Sequence, residues 1–338
     1  MRPVLLAFSG GIDSCTAAEK LLSEGYDVTA LTLDMSGDEA MLEKARASAE
    51  RLGVRHIVRN VQREFKSYII DYFAHSYMRG HTPAPCTVCN PSIKWRFLRE
   101  QADELGIKAI ATGHYFNIEC VDGLYYVASA ADKSKDQSYY LWGLSQQILA
   151  RAVVPMGNMI KEQIKVNFAD KRESMGVCFL GGGGYREFMM QNYPESVRAG
   201  EIVTADGHIV GRHDGVAFYT IGQKRGLDVE MSGAVVVAID AECNRLIVSK
   251  NNDLYKQTLE IVDCNIVSEE ELLSACDIRV VVRGIGRNPQ GFAREIVPMA
   301  GGYRICLEDA AWAPAVGQPI VLYRGHRVVG GGFLRNCY

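Results

Sequence analysis

One junction constrains this chain more than any other. The apolar run Val4-Leu5-Leu6-Ala7-Phe8 ends abruptly in Ser9-Gly10-Gly11-Ile12-Asp13-Ser14. Consecutive apolar residues without alternation predict a strand buried on both faces, as in a parallel sheet covered by helices. Ala17, Ala18, Leu21 and Leu22 then recur at helical spacing, and Gly25 is placed to end that helix. Glycines between such a strand and helix let backbone N–H groups approach an anion, and the helix start adds a positive dipole end. The Ser9 and Ser14 hydroxyls are candidate phosphate donors, and Asp13 is a candidate Mg2+ ligand or helix cap. A P-loop would need Gly-Lys-Ser/Thr and a dinucleotide fingerprint G-x-G-x-x-G; neither is present. Paired glycines also make plain tight turns, so the junction alone leaves both readings open.

The grammar continues as strand, helix, strand. Val28 to Leu33 reads as a strand, Asp38 as the cap of a helix over 39–52, and Val54 to Val58 and Lys108 to Thr112 as further strands. This predicts an α/β domain with a parallel sheet over 1–194. From about residue 195 the pattern turns β-rich. Gly200 to Thr204 and Ile209 to Gly211 flank an Asp206-Gly207 hairpin turn, and Ala217 to Ile221, Ala234 to Ile239 and Leu246 to Ser249 read as strands. We assign 195–256 to a small central domain. In 257–338 short strands (Arg279 to Arg283, Tyr303 to Leu307, Pro319 to Tyr323) alternate with glycine-rich turns, as in a small β-barrel.

With 338 residues the chain is long enough for two or three domains, and 48% apolar with 23% charged residues excludes wholesale disorder. No stretch approaches the ~20 apolar residues of a membrane span. Ten scattered cysteines without a framework fit an intracellular, cytoplasmic protein. Residues 278–338 carry eight Arg and three acids, a net +5, which leaves −8 on the rest of the chain. That asymmetry permits an anionic partner near the C-terminal end.

Six blocks in order then identify a family. Ser9-Gly10-Gly11-Ile12-Asp13-Ser14 resembles the pyrophosphate loop of ATP pyrophosphatases. The segment Thr82-Pro83-Ala84-Pro85-Cys86-Thr87-Val88-Cys89-Asn90, with Ile93-Lys94 after it, resembles the corresponding segment of tRNA-specific 2-thiouridylases. So do Ala111-Thr112-Gly113-His114-Tyr115, Lys135-Asp136-Gln137-Ser138-Tyr139, Gly176-Val177-Cys178-Phe179 and Tyr219-Thr220-Ile221-Gly222-Gln223, with Gly330-Gly331-Gly332 closing the chain. The resemblance implies a pyrophosphate-loop domain for adenine nucleotide, a small central domain and a C-terminal β-barrel. It places ATP, with Mg2+, against Ala7, Phe8, Ser9, Gly10, Gly11, Ile12, Asp13, Ser14, Leu33 and Gly113. The target base falls to Ala84, Pro85 and Cys86, and tRNA contacts to Lys135, Asp136, Gln137, Arg283 and Gly284. The chain departs from the family at Ala84, where an Asn is usual, at Trp95 for Phe, and in the inverted Lys224-Arg225 pair.

The implied chemistry explains why two thiols accompany an ATP site. Uracil O2 is a poor leaving group until adenylated, and a cysteine persulfide supplies bound, nucleophilic sulfur. A second thiol then releases that sulfur and leaves a disulfide. By resemblance Cys178 carries the persulfide, received from a sulfur-donor protein, and Cys89 is its nucleophilic partner. Gly181 to Gly184 predict a mobile loop after Cys178. Asn90 is placed to cap a helix opened by Pro91, which would set Cys89 just outside a positive helix end. The pair Cys86 and Cys89 is also compatible with a zinc, redox or iron–sulfur role, and with Cys178 it could ligate a [4Fe–4S] cluster. His114 is read as structural. In the acid-free span Ile278 to Arg294, Arg279, Arg283, Arg287 and Arg294 are placed to grip tRNA phosphates. Two other readings compete: a different pyrophosphate-loop ligase or amidase, and an RNA-binding module with a degenerate ATP site.

Overall fold

The computed structural model describes residues 2–165, 176–180 and 183–338. The chain divides into two compact units, one of 1–69, 86–174 and 326–329, the other of 70–85, 175–325 and 330–338.

The first unit is built on β1 (Arg2–Ala7), whose Val4, Leu5 and Leu6 are wholly buried, as expected for a strand covered on both faces. Helix α1 (Ile12–Ser23) follows the glycine pair and returns the chain to β2 (Tyr26–Asp34). Asp38 caps α2 (Glu39–Arg51) by accepting the Met41 N–H at 3.2 Å, and β3 (Arg55–Asn60) comes next. With β4 (Ala109–Ala111) and the short strand Ala152–Val153, the parallel sheet runs β3-β2-β1-β4-(152–153). The order reverses direction at β1, so the crevice beyond the C-terminal ends of β1 and β4 is the switch point where such sheets bind ligands. Residues 9–14 follow β1 there, and residues 112–115 follow β4.

The second unit is mostly β. The expected hairpin is present as Gly200–Thr204 and Ile209–His213, in a sheet that also pairs Arg245–Ser249 in parallel with its first strand. Its core joins Ile202, Leu246 and Val248 to Phe73, Met189 and Phe218. The predicted strand at 217–221 is instead a tight turn, Val216–Phe218. Val216, Ala217, Phe218 and Tyr219 are all buried, and consecutive inward side chains suit a turn better than the alternating faces of a strand. Toward the C-terminus the strand path is 278–281, 319–324, 327–337, 255–266, 302–312, 293–299. A bridge between Arg279 and Phe292 brings the two ends of that path together, as a barrel requires. Among the described residues no helix is long and apolar enough to cross a membrane.

Candidate active site

The loop between β1 and α1 is held by its own backbone. Gly10 has φ +67°, and a Cβ there would lie 2.8 Å from Ala45 Cα and 2.9 Å from the Lys44 carbonyl. Only glycine meets both demands, so the loop lies directly on α2. Ser14, buried, donates to the Gly11 carbonyl at 3.0 Å and accepts the Ser9 N–H at 3.3 Å. Its hydroxyl therefore shapes the loop. Gly11 is the N-cap of α1 and offers no side chain to the first-turn N–H groups. These donors, with the positive end of the helix, are the arrangement that receives phosphate.

The Asp13 side chain does not cap the helix. Its Oδ1 accepts the Tyr115 hydroxyl at 2.8 Å and is ion-paired with Lys161 Nζ. Lys161 is only 3% exposed, whereas the Asp13 side chain is 41% exposed. The Lys161 ammonium also lies 5.7 Å from the Tyr115 ring centroid, and its backbone N–H donates to Asp132 Oδ2 at 3.0 Å. Sequence reading missed Lys161 entirely. Its one local signal is a cation closing the mostly apolar stretch Val153 to Ile160.

The Lys135-Asp136-Gln137 segment is tied to the same network. Asp136 Oδ1 accepts the N–H groups of Ala130 and Ser138, each at 3.1 Å, and its Oδ2 accepts the Ser138 hydroxyl. Gln137 exchanges two hydrogen bonds with the backbone of Tyr115, at 2.9 and 2.8 Å. The Asp136 carboxylate and the Gln137 carbonyl thus face protein. The Gln137 bonds position Tyr115, and through it Asp13.

Gly113 is small for a related reason. A Cβ there would come within 3.1 Å of the Asp13 carbonyl carbon and the Ser14 nitrogen, so β4 packs onto the phosphate loop itself. Leu33 is buried at the end of β2. His114 shares a 2.8 Å hydrogen bond with Thr112 and stacks on Trp95. Burial, aided by the Lys94 charge, pushes its pKa down to about 3, so the ring stays neutral near pH 7.

The cysteine segment departs from expectation. Helix begins at Pro85, not Pro91, and runs through a wider π segment (Asn90–Lys94) into Trp95–Glu104. Pro at the first position suits a helix start, so Cys86, not Cys89, sits in the first turn. Pro91 has no N–H for the turn before it, and neighbouring side chains serve those carbonyls. Asn90 Nδ2 donates to the Cys86 carbonyl at 3.0 Å and to that of Tyr140 at 3.1 Å, and Ser92 Oγ donates to Val88 at 2.6 Å. Asn90 is therefore a brace within the helix and not its cap. Ala84 is partly exposed, Pro85 is buried, Cys86 is exposed, and Cys89 is only 5% exposed. Cys178, in the other unit, is exposed and opens the short turn Cys178–Leu180. Phe179 beside it packs edge-on against Phe73 and obliquely against Phe188, so the turn is anchored on this side. Of the glycines expected to loosen the loop, Gly181 and Gly182 lie outside the described residues.

In the C-terminal strands Arg283 lies over the Trp312 ring and donates to the Ala313 carbonyl, while Gly284 is exposed. Arg279 lies over Tyr323 and Arg287 over Tyr255. Each guanidinium thus has an aromatic partner within the protein. Among the described residues no three His, Cys, Asp or Glu side chains converge as metal ligands.

Fold and loop define the class: a pyrophosphate-loop α/β domain joined to a β-rich part. Comparison with known proteins agrees. The family model described as tRNA methyl transferase HUP domain matches residues 2–182, and that described as tRNA methyl transferase PRC-barrel domain matches 186–250. A tRNA-specific 2-thiouridylase MnmA 1 of Bacteroides fragilis is 39% identical over 354 residues, covering 98% of this chain and 96% of that protein. The tRNA-specific 2-thiouridylase MnmA of Cytophaga hutchinsonii is 34% identical over 361 residues, covering 99% and 98%. A solved structure from Methanocaldococcus jannaschii, described as a predicted subunit of tRNA methyltransferase, overlays with TM-score 0.39 at 17% identity, covering 56% of this chain and 88% of that one, too remote to add to this. The chain belongs to the tRNA-specific 2-thiouridylase family.

Proposed function

We propose that this protein replaces O2 of the wobble uridine of tRNA by sulfur, using ATP. The phosphates of ATP enter at the uncapped start of α1, with the adenosine toward Leu33 and Gly113. Uridine O2 attacks the α-phosphorus, and pyrophosphate leaves. The terminal sulfur of a Cys178 persulfide, delivered by a sulfur-donor protein, attacks C2 of the adenylated uridine and AMP departs. The Cys89 thiolate attacks the Cys178 sulfur, which releases the new thiocarbonyl and leaves a Cys89–Cys178 disulfide. A Mg2+ ion bound to the phosphates would offset their charge. Lys135, Asp136, Gln137, Arg283 and Gly284 remain the proposed tRNA contacts, the domain limits stay at 194 and 256, and the reaction belongs in the cytoplasm.

The observation that carries this reading is the pairing, on one chain, of an uncapped phosphate loop with thiols at both family cysteine positions. A methyl transferase, as the family models' label suggests, has no need of a persulfide. The test is mass spectrometry of tRNA nucleosides from cells lacking the protein. Loss of wobble 2-thiouridine, restored by the gene, is expected; unchanged levels in cells with no redundant enzyme would sink the reading.

A further inference from the structure

A buried lysine needs a compensating charge, and Lys161 has one in Asp13. That carboxylate stands in the first turn of α1, where the N–H groups lack a side-chain cap. A triphosphate arriving there brings several negative charges to a site that already holds one. Asp13 alone would repel it, and the lysine paired with it offsets that repulsion. The fold holds Lys161 at both ends. Its backbone is fixed by Asp132, and its ammonium lies over Tyr115, whose hydroxyl fixes Asp13.

We propose that Lys161 is a catalytic residue of the adenylation step. Its ammonium is stored on Asp13 in the nucleotide-free protein and engages the phosphate oxygens once ATP is bound. This rests on the ATP-dependent reading above. As uridine O2 forms its bond to the α-phosphorus, the bond from that phosphorus to the bridging oxygen breaks. The electron pair leaves on pyrophosphate, and the uridine N3 proton passes to solvent. Lys161 keeps its own proton throughout and offsets the charge that grows on the departing oxygens.

The test begins with the natural protein, which must release AMP from ATP in the presence of tRNA; if it does not, the functional reading falls and not the lysine assignment. Given that activity, K161M is expected to lower kcat for AMP release by about a hundredfold to a thousandfold, with a much smaller change in KM for ATP. A kcat within threefold of the natural protein, or a loss confined to KM, would overturn the proposal. Because K161M removes a buried charge partner and can impair folding, a second measurement uses the unaltered protein. An ATP analogue with a pyridoxal aldehyde on its phosphate chain, fixed by borohydride, should label the Lys161 peptide and be displaced by ATP. Labelling confined to other lysines would overturn the assignment.

Discussion

Cys89 and Cys178 are assigned to one reaction yet occupy opposite environments. Cys89 lies within a continuous helix, 5% exposed and braced by Asn90. Cys178 is exposed on a short turn fixed through Phe179 to an aromatic cluster. The contrast matches the duties proposed for them. A sulfur carrier must meet a donor protein, so its thiol has to be reachable. A resolving thiol must wait until the persulfide has reacted, and burial protects it from premature oxidation. Expecting both to be alike because both are reactive misses this division.

The largest effect tests the division directly. Cys178→Ser and Cys89→Ser should each stop thiolation, but with different residues left behind. After exposure to a sulfur donor, intact-mass analysis should find an added sulfur on Cys178 in Cys89→Ser and none in Cys178→Ser. A persulfide on Cys89 in the latter would reverse the roles. Next, iodoacetamide should modify Cys178 on the order of a hundredfold faster than Cys89 in the native protein, because a buried thiol reacts through local opening. Equal rates, read by peptide mapping, would remove the contrast.

Phe179→Ala probes the anchor. Loss of its two ring pairs should cost about 1–3 kcal/mol of stability. Thiolation should slow by about tenfold while tRNA-dependent AMP release is kept, since the anchor serves sulfur delivery alone. Equal loss of both activities would show a general folding defect instead. The smallest effect is expected at Cys86→Ser. Cys86 is exposed in the first helical turn and takes no part in the sulfur transfer proposed, so activity should stay within about threefold. An inactive, folded variant, together with iron in anaerobically prepared protein, would return Cys86 to a ligand's role.

How far the sequence could be read varied with the kind of interaction. The parallel sheet, the Asp38 cap and the Asp206-Gly207 hairpin were legible because each rests on a pattern within a few residues. The helix start at Pro85 was missed because two prolines compete for it, and a π segment with Asn90 and Ser92 lets the second one sit inside the helix. Asp136 and Gln137 were expected to contact tRNA. Nothing local says that their acceptors turn inward to Ala130, Ser138 and Tyr115.

The sequence by itself determined where the anion-binding junction lies and which family the chain resembles. Both follow from local backbone needs: glycine where φ is positive and helices approach closely, and apolar runs where strands are covered. Only the tertiary structure decided what the charged side chains do. Lys161 meets Asp13 across 148 residues of chain, and Arg283 meets Trp312 and Ala313 across about thirty. A charge carries no local mark of its partner. Whether it faces solvent, substrate or another side chain is settled by which distant segments the core brings to it.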